Sequence, residues 1–316
     1  MKYLNNILVA GGAGFIGSNL CKRLLENENN FVICIDNLYT GRLENIKDFL
    51  KNKNFIFINH DITTSLNNLT FKVNEIYNLA CPASPNFYQG SHSIETTKTC
   101  IYGSVNLLEI AKRDNAKILF TSTSEVYGEP LQHPQVEEYR GNVNPIGIRA
   151  CYDEGKRCAE SLYFDYKRNF NLDIKIVRIF NTYGTNMRKD DGRVISNFIN
   201  QMLENKDITI YGDGTQTRSF CFVDDMINAL ILMMKSEYSG PFNLGNPEEF
   251  TINDLVNKLL TLIDTKSNIV FKDLPKDDPT KRRPNINKAK EFLKWQPNIK
   301  LNEGLIKTIE YYRNAK

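Results

Sequence analysis

The glycine-rich segment GGAGFIG, beginning at Gly11, constrains the fold of this 316-residue chain more than any other feature. It follows a short apolar run at residues 7–10, which predicts a buried strand, and it leads into apolar residues at helical spacing over 19–25. Its GxxGxxG spacing permits a tight turn whose backbone N–H groups, with the helix N-terminus, face a pyrophosphate. The segment therefore predicts a dinucleotide-binding βα unit. The residues predicted to bind the dinucleotide here are Gly11, Gly14, Phe15, Ile16 and Gly17.

A second predicted strand, residues 31–35, ends at Asp36, nineteen residues after Gly17. A carboxylate at this position accepts hydrogen bonds from the adenosine ribose and repels a 2′-phosphate. Asp36 therefore predicts NAD rather than NADP as the cofactor. The residues expected to flank the adenine and to line the cofactor cleft, after the third and fourth strands, are Asp61, Ile62, Leu79, Ala80 and Cys81.

Strands alternate with helices along the first 180 residues. This alternation predicts an α/β fold with a Rossmann-type, doubly wound parallel sheet and helices on both faces. We divide the chain into a cofactor-binding domain, 1–180, and a smaller C-terminal substrate-binding lobe, 181–316, with some segments interleaved. The predicted strands are 7–10, 31–35, 55–58, 76–80, 118–120 and 174–179, and the predicted helices are 19–25, 92–114, 149–169, 192–204, 224–235, 252–263 and 302–313.

Tyr152 and Lys156 lie four residues apart in a predicted helix, so they share one face of it. A phenol with a pKa of about 10 is a poor base at neutral pH, but a neighbouring ammonium and a cationic nicotinamide both lower that pKa. Tyr152 is therefore predicted to take a proton from a sugar hydroxyl as hydride leaves the same carbon. Lys156 is predicted to hold the nicotinamide ribose, and Thr123 to complete the hydrogen-bond set.

The stretch TSTSEVYG ends the fifth predicted strand with hydroxyls and one carboxylate instead of apolar residues. Side chains at the carboxyl end of a strand in an open α/β sheet face its ligand site. Ser124 and Glu125 are therefore predicted to be catalytic. The role of Glu125 stays open between orienting a water, helping to protonate a ring carbon and steering a sugar ring.

Composition argues against several other classes of protein. The net charge is only +3, and the Lys and Arg residues are scattered, so no nucleic-acid partner is expected. Seven cysteines at irregular spacing predict reduced thiols in a cytoplasmic protein, and three separated histidines predict no metal site. No stretch approaches the roughly 18–20 apolar residues of a membrane span, so no membrane partner or anchor is expected.

These residues resemble the extended short-chain dehydrogenase/reductase family that acts on nucleotide sugars, and within it the UDP-glucuronate decarboxylases. The resemblance runs nearly end to end. It is carried by GGAGFIGSNL, CIDNLYTGR, NHDI, LACPASP, STSEVYG, NPIGIRACYDEGKR, RIFNTYG, DGRVISNFI, YGDGTQTRSF, LGNPEEFTI and DDPTKRRPNINKAK. It implies that Tyr152 deprotonates the C4 hydroxyl of UDP-glucuronate as hydride passes to NAD. The 4-keto acid then loses CO₂, and protonation at C5 followed by return of the hydride to C4 yields UDP-xylose.

The resemblance also implies a homodimer and further site residues. The dimer pairs helices 92–114 and 149–169 of each copy into a four-helix bundle. Arg218 resembles the family's pyrophosphate-binding arginine, and Arg282 an arginine thought to act on the substrate. The other residues implied to bind substrate are Tyr88, near the sugar, Lys98, Thr123, Tyr152, Asn181, near a phosphate, Arg193, and Tyr211, near the uracil. The other residues implied to bind cofactor are Asn37, Tyr39, Thr40, Gly41, Thr99, Thr121, Ser122, Thr182 and Arg193.

Three alternative functions stay open. A nucleotide-sugar 4,6-dehydratase needs an acid beside Glu125 to protonate a departing hydroxide, whereas residue 124 is serine. An ionised Asp about 4 Å from a substrate carboxylate would cost about 4 kcal/mol at an effective dielectric near 20, and neutral Ser124 avoids that cost. A UDP-sugar 4-epimerase lacks the glutamate and lets the keto sugar rotate. A non-catalytic NAD-binding protein is disfavoured by the intact Tyr152, Lys156 and Glu125.

Overall fold

The structure is a computed structural model that describes residues 5–274 and 281–314. Its strands are β1 Asn5–Ala10, β2 Asn30–Asp36, β3 Phe55–Asn59, β4 Glu75–Asn78, β5 Lys117–Thr123, β6 Ile174–Ile179, β7 Thr182–Tyr183, β8 Ile208–Tyr211, β9 Thr217–Ser219, β10 Cys221–Phe222, β11 Phe242–Leu244, β12 Glu249–Thr251, β13 Ile269–Lys272 and β14 Lys281–Arg282. Its helices are α1 Phe15–Leu25, α2 Pro85–Tyr88, α3 Ser93–Lys98, α4 Ser104–Asp114, α5 Ala150–Phe170, α6 Val194–Leu203, α7 Val223–Lys235, α8 Ile252–Leu262, α9 Asn287–Phe292 and α10 Leu301–Asn314.

The central sheet has seven strands in the order β11-β6-β5-β4-β1-β2-β3. Each neighbouring pair is parallel. The direction in which the strand order progresses reverses between β1 and β4, and open α/β sheets bind ligands outside the strand ends at such a point. The predicted Rossmann-type sheet is confirmed.

Helices cover both faces of the sheet. Alternate residues of each strand point to opposite faces, so each strand contributes to two cores. In β1, Ile7 and Val9 join a core that includes buried residues of α1, α6 and α7. Leu8 and Ala10 join a second core with buried residues of α4 and α5. Near-continuous apolar strands are the expected sequence of a sheet buried on both faces.

The chain beyond residue 180 contributes to the central sheet as well as to the smaller lobe. Strand β11 pairs with β6 at one edge of the sheet. The remaining strands form the small sheets β10-β7, β12-β9-β14 and β13-β8. Strand β14 pairs with β9 in a register that places Arg282 opposite Arg218. Two arginines that are far apart in sequence thereby become neighbours.

The helix predicted over 92–114 is only partly correct. The chain forms α3, a π-helical turn at Thr99–Gly103, and then α4. Gly103 permits this arrangement because a Cβ at that position would collide with the side chain of Ile62. Apolar periodicity predicts the helical segment but does not resolve one π turn inside it, since such a turn shifts the pattern by only one residue.

Candidate active site

One cavity of about 960 Å³ extends along the carboxyl ends of the central strands and reaches the C-terminal lobe. Nearly every predicted site residue lines it. These residues are Gly11, Gly14, Phe15, Ile16, Gly17, Asp36, Asn37, Tyr39, Thr40, Asp61, Ile62, Leu79, Ala80, Cys81, Tyr88, Lys98, Thr99, Thr121, Ser122, Thr123, Ser124, Glu125, Tyr152, Lys156, Asn181, Thr182, Arg193, Tyr211, Arg218 and Arg282. Gly41 does not line the cavity, because it packs against the Asp36 carboxylate, within 3 Å of where its Cβ would lie.

The glycine loop between β1 and α1 has the geometry that a pyrophosphate needs. Gly11 has a φ of +78°, and a Cβ there would lie 2.9 Å from the backbone of Ala80, so only glycine fits. Gly14 caps α1 without a side-chain hydrogen bond. The first N–H groups of α1 therefore stay available at the cavity wall, at the positive end of the helix dipole.

Asp36 ends β2 beside this loop and is buried. Its Oδ2 accepts a hydrogen bond from the Ala13 N–H at 3.0 Å, and its Oδ1 accepts one from the Leu38 N–H at 2.8 Å. Burial raises the pKa of Asp36, and these backbone hydrogen bonds oppose that rise. A carboxylate anchored next to the phosphate loop has the position of a ribose ligand. The residues present therefore fit a dinucleotide.

Helix α5 brings Tyr152 and Lys156 to the cavity on one face. Lys156 Nζ donates to the Thr121 carbonyl at 2.8 Å and lies 5.9 Å from the centroid of the Tyr152 ring. Burial raises the pKa of Tyr152 well above its usual value, and a hydrogen bond with Thr123 opposes that rise. Within the protein itself the pKa therefore moves opposite to the predicted direction, because desolvation of the phenol dominates.

Tyr88, at the end of α2, stacks on Tyr152. The two ring centroids are 4.8 Å apart and the ring planes differ by 8°. The guanidinium carbon of Arg149 lies 5.8 Å from the centroid of the Tyr88 ring. Because the Tyr88 ring is almost fully buried, the stack holds the Tyr152 phenol in one orientation in the cavity wall.

Glu125 lies in the 3₁₀ turn Ser124–Tyr127 that follows β5. Its Oε2 accepts hydrogen bonds from Arg149 at 2.6 Å and from Arg282 at 3.2 Å. Ser124 Oγ donates to its Oε1 at 3.3 Å. Burial disfavours ionisation, but the charges of Arg282 and Arg149 outweigh it and lower the pKa of Glu125 to about 2. Glu125 is therefore ionised at neutral pH and accepts protons only from stronger acids.

Three arginines surround this carboxylate, and we define Arg149, Arg218 and Arg282 as the arginine cluster. Burial, followed by the negative charge of Glu125, raises the pKa of the nearby Asp153 to about 8. Asp153 is therefore mostly protonated at pH 7, and the cluster keeps a net positive charge. The Nη1 atom of the buried Arg282 has no hydrogen-bond partner within residues 5–274 and 281–314. These features favour an anionic ligand group.

Three hydroxyls predicted to bind the cofactor donate hydrogen bonds to protein acceptors, which leaves their oxygens able to accept from a ligand. Thr121 Oγ1 donates to the carbonyl at the end of β4, at 2.9 Å. Ser122 Oγ donates to Glu160 Oε1 on α5 at 2.6 Å. Thr182 Oγ1 donates to a backbone carbonyl two residues earlier, at 2.9 Å. All three residues still lie at the cavity wall.

The C-terminal lobe supplies basic and aromatic residues to the other end of the cavity. Arg193, just before α6, binds Asp191 in a bidentate ion pair, with N···O distances of 2.7 and 3.0 Å. Arg218 Nη1 donates to the Thr217 carbonyl at 2.9 Å. Tyr211, at the end of β8, is 43% exposed and lines the cavity. Asn181 lines it just after β6.

Sequence reasoning missed several residues of the cavity wall. Arg149 lies three residues before Tyr152, and that spacing was a usable signal because residues three apart share one side of a helical turn. Ser84 and Asn86 donate to the backbone carbonyls of Asp191 and Asp190, more than 100 residues away in sequence. No local pattern marks these two residues, because their partners are set by tertiary packing.

The described parts of the chain contain no group of three or more His, Cys, Asp or Glu side chains arranged to hold a metal ion. Within the same residues, no helix combines the length and the apolar character that crossing a bilayer requires.

The chain is similar to known proteins over nearly its whole length. A family model described as GDP-mannose 4,6 dehydratase matches residues 8–308. UDP-glucuronic acid decarboxylase 3 of Arabidopsis thaliana is 53% identical over 95% of this chain and 86% of that protein. UDP-glucuronic acid decarboxylase 1 of Danio rerio is 47% identical over 98% of this chain and 73% of that protein. The crystal structure of UDP-glucuronic acid 4-epimerase from Bacillus cereus, in complex with UDP-glucuronic acid and NAD, superposes with a TM-score of 0.88. It is 32% identical over 98% of this chain and 100% of that chain.

Proposed function

Because the chain belongs to the extended short-chain dehydrogenase/reductase family, we propose that it is a carboxy-lyase that converts UDP-glucuronate to UDP-xylose and CO₂ with a recycled NAD. The relatives at about 50% identity are named UDP-glucuronic acid decarboxylases. The observation in the structure that carries the proposal is the arginine cluster beside neutral Ser124, next to the Tyr152–Lys156 pair.

The cofactor is NAD. When bound, it accepts hydride from C4 of the sugar, returns that hydride later and carries a positive charge on its nicotinamide ring. The glycine loop fits its pyrophosphate, and Asp36 its adenosine ribose. Lys156 is proposed to hold the nicotinamide ribose.

Tyr152 is proposed to remove the C4 hydroxyl proton. Its pKa is raised by burial, so the phenolate forms only when positive charge lies near the ring. Thr123, whose hydrogen bond lowers the pKa, assists. Because the pKa of Tyr152 stays high unless positive charge lies near its ring, Tyr152 acts as a base only in the complex with bound cofactor.

Oxidation at C4 places a ketone β to the C6 carboxylate. Loss of CO₂ then leaves an enolate whose charge develops on the C4 oxygen. Tyr152 and Thr123 stabilise that oxygen by donating hydrogen bonds to it. The C4 oxygen carries more negative charge in the transition state for CO₂ loss than in the 4-keto acid, so these hydrogen bonds lower the barrier to decarboxylation. No hydroxide departs, so an acid at residue 124 is not needed, and Ser124 donates a hydrogen bond without repelling the carboxylate.

Arg149 and Arg282 of the arginine cluster are proposed to bind and orient the C6 carboxylate. The free Nη1 of Arg282, within the described residues, is the donor we assign to it. Glu125 neutralises part of the cluster's charge through its bonds to Arg149 and Arg282. Excess positive charge would stabilise the ground-state carboxylate and slow its loss. Glu125 is thus assigned the role of orienting Arg282 and limiting the charge that faces the substrate.

The C-terminal lobe is proposed to bind the nucleotide. Arg193, Arg218 and Asn181 bind the diphosphate, since guanidinium groups match phosphate geometry. Tyr211 stacks near the uracil, because its partly exposed ring lies at that end of the cavity. We propose that the sugar binds near Tyr88, Lys98 and the end of β5, all of which line the cavity.

We further propose a cytoplasmic homodimer. The outer faces of α3, the π turn and α5 expose Ile94 at 64%, Tyr102 at 56% and the thiol of Cys158. Apolar side chains so exposed on adjacent helices favour pairing with a second copy of the chain.

Incubation of the purified protein with UDP-glucuronate labelled with ¹³C at C6 tests the function. We expect labelled CO₂ and a UDP-pentose, with no net change in the amount of NAD. Formation of UDP-galacturonate without CO₂ would instead identify a 4-epimerase. Lack of any conversion by a folded, NAD-containing protein would identify a binding protein.

Arginine variants test which group holds the carboxylate. Arg282→Ala should lower the rate of CO₂ release at least tenfold, because the carboxylate loses its oriented donor. Arg283→Ala is the matched control, since Arg283 is the next residue, is half-exposed and lies outside the cavity wall. Equal rates for the two variants would remove Arg282 from this role.

A further inference from the structure

Two cysteines, Cys81 and Cys100, lie in contact with each other near the Tyr152–Lys156 pair. Cys81 follows β4 and lines the cavity, while Cys100 lies in the π turn and is 1% exposed. Their Sγ atoms are 3.4 Å apart, closer than two sulfurs in ordinary van der Waals contact would lie. The chain brings them together from separate elements across nineteen residues.

The π turn and α5 hold Cys100 in this position. A Cβ on Gly155 would lie 3.1 Å from both Cβ and Sγ of Cys100, so the absence of a side chain there lets Cys100 approach the helix. Gly155 lies directly before Lys156 and three residues after Tyr152. π turns are frequent at functional sites. Cys100 therefore packs against α5, the helix that carries the proposed base.

We propose that Cys81 and Cys100 are a redox-active dithiol, which hydrogen peroxide or an organic hydroperoxide oxidises to a disulfide. The Cys81 thiolate attacks one peroxide oxygen, the O–O bond breaks, and Cys81 becomes a sulfenic acid. The departing hydroxide or alkoxide takes up the proton that the Cys81 thiol released and leaves as water or an alcohol. The Cys100 thiol then attacks the Cys81 sulfur, the S–S bond forms and water leaves. Each sulfur loses one electron overall, and the peroxide gains two.

The electrostatics of the site favour Cys81 as the attacking sulfur. Burial opposes its ionisation, but a hydrogen bond from Cys100 and the charge of Lys156 outweigh burial and lower the pKa of Cys81. The same hydrogen bond, with burial, raises the pKa of Cys100. Cys81 is also the partner that peroxide can reach, since it is partly exposed at the cavity wall.

Closure of the disulfide should reversibly stop turnover. A disulfide bond is about 2.05 Å long, so the two sulfurs must approach by about 1.4 Å from their present 3.4 Å. That movement displaces the strand end that lines the cofactor cleft or the helix surface beside Tyr152. Displacements of about 1 Å at a reacting centre can cost about a hundredfold in rate.

The test uses the purified protein with its bound cofactor, treated with hydrogen peroxide and then alkylated and digested. We expect a peptide pair linked through Cys81 and Cys100, a loss of two titratable thiols, and restoration of both by dithiothreitol. Turnover should fall at least tenfold and recover with the same reductant. The linked peptide is read by mass, so this part of the test does not depend on the proposed reaction.

Two variants separate the pair from other thiols. Cys100→Ser should leave Cys81 at the sulfenic acid stage, detectable with a dimedone probe, and form no linked peptide. Cys158→Ser removes an exposed thiol on α5 that lies outside the cavity wall, and it should form the same Cys81–Cys100 linked peptide as the unmodified chain. Peroxide that yields no Cys81–Cys100 peptide in the unmodified protein, or links either cysteine to another residue instead, overturns the proposal.

Discussion

Glu125 and Asp153 are two carboxyl groups beside the same arginines, yet their pKa values move in opposite directions. Direct hydrogen bonds from Arg149 and Arg282 help lower the pKa of Glu125 to about 2. Burial, followed by repulsion from the charge of Glu125, raises the pKa of Asp153 to about 8. Of these two protein carboxyl groups, Glu125 is therefore ionised beside the arginine cluster and Asp153 keeps its proton.

The raised pKa of Asp153 predicts a stability that changes with pH. Between about pH 4 and pH 8 the folded protein holds a proton that the unfolded chain releases. The free energy of unfolding therefore falls as pH rises through this range, by at most about 1.4 kcal/mol per pH unit. Asp153→Asn removes this term without changing the shape. Urea unfolding should show the variant gaining stability relative to the unmodified chain as pH rises from 5 to 8. A stability difference independent of pH would contradict this.

Tyr152→Phe should lower turnover by about 10²–10⁴-fold, the usual contribution of a positioned acid or base. Binding of UDP-glucuronate should change little, because the ring still stacks on Tyr88. Tyr166→Phe is the control, since this tyrosine on the same helix donates to Glu109 and does not line the cavity. Steady-state rates and calorimetric binding measure the two effects. Near-normal turnover in Tyr152→Phe would exclude Tyr152 as the base.

At the scale of elements, hydrogen bonds to Glu160 anchor α5 to the central sheet. This residue accepts a hydrogen bond from Ser122 of β5 at 2.6 Å and a bidentate pair from Arg178 of β6 at 3.0 and 2.8 Å. Glu160 lies one turn beyond Lys156 and two turns beyond Tyr152. The network therefore sets the height and rotation at which α5 presents the proposed base to the strand ends.

Glu160→Gln should destabilise the protein by about 3 kcal/mol, because it leaves the largely buried Arg178 without its ionic partner. Glu154→Gln on the same helix is the matched control. Its ion pair with Arg157 is about 40% exposed, so its loss should cost less than about 1 kcal/mol. Urea unfolding at pH 7 measures both. Equal losses in the two variants would show that the Glu160 network does not anchor α5.

At the scale of the whole molecule, the cavity of the candidate active site is lined by residues from both the central sheet and the small C-terminal sheets. The sheet supplies the glycine loop and the end of β5, whereas Arg218 and Arg282 arrive on the small β12-β9-β14 sheet. The surface opposite the sheet, formed by α3, the π turn and α5, does not line the cavity at Ile94, Tyr102 or Cys158. A dimer formed through this surface would therefore leave the cavity open to the substrate.

Tyr102→Asp should convert the proposed dimer to a monomer, because a charge would be buried in the helix pairing. Phe271→Asp is the matched control: its ring is 60% exposed on β13, away from these helices. Light scattering coupled to size-exclusion chromatography measures the mass of each. A monomeric unmodified chain, or dimers that survive Tyr102→Asp unchanged, would contradict the proposed interface.

The sequence by itself determined the Rossmann-type sheet, the glycine loop at Gly11 with Asp36 beside it, and the Tyr152–Lys156 pair on one helix. Each of these depends on short-range spacing, either the period of a strand or helix or the geometry of one turn. Only the tertiary structure decided that Arg282 binds Glu125 across 157 residues, that Ser122 faces Glu160, and that Cys81 meets Cys100 at a π turn. These contacts depend on how separate elements pack, and no local pattern along the chain encodes that packing.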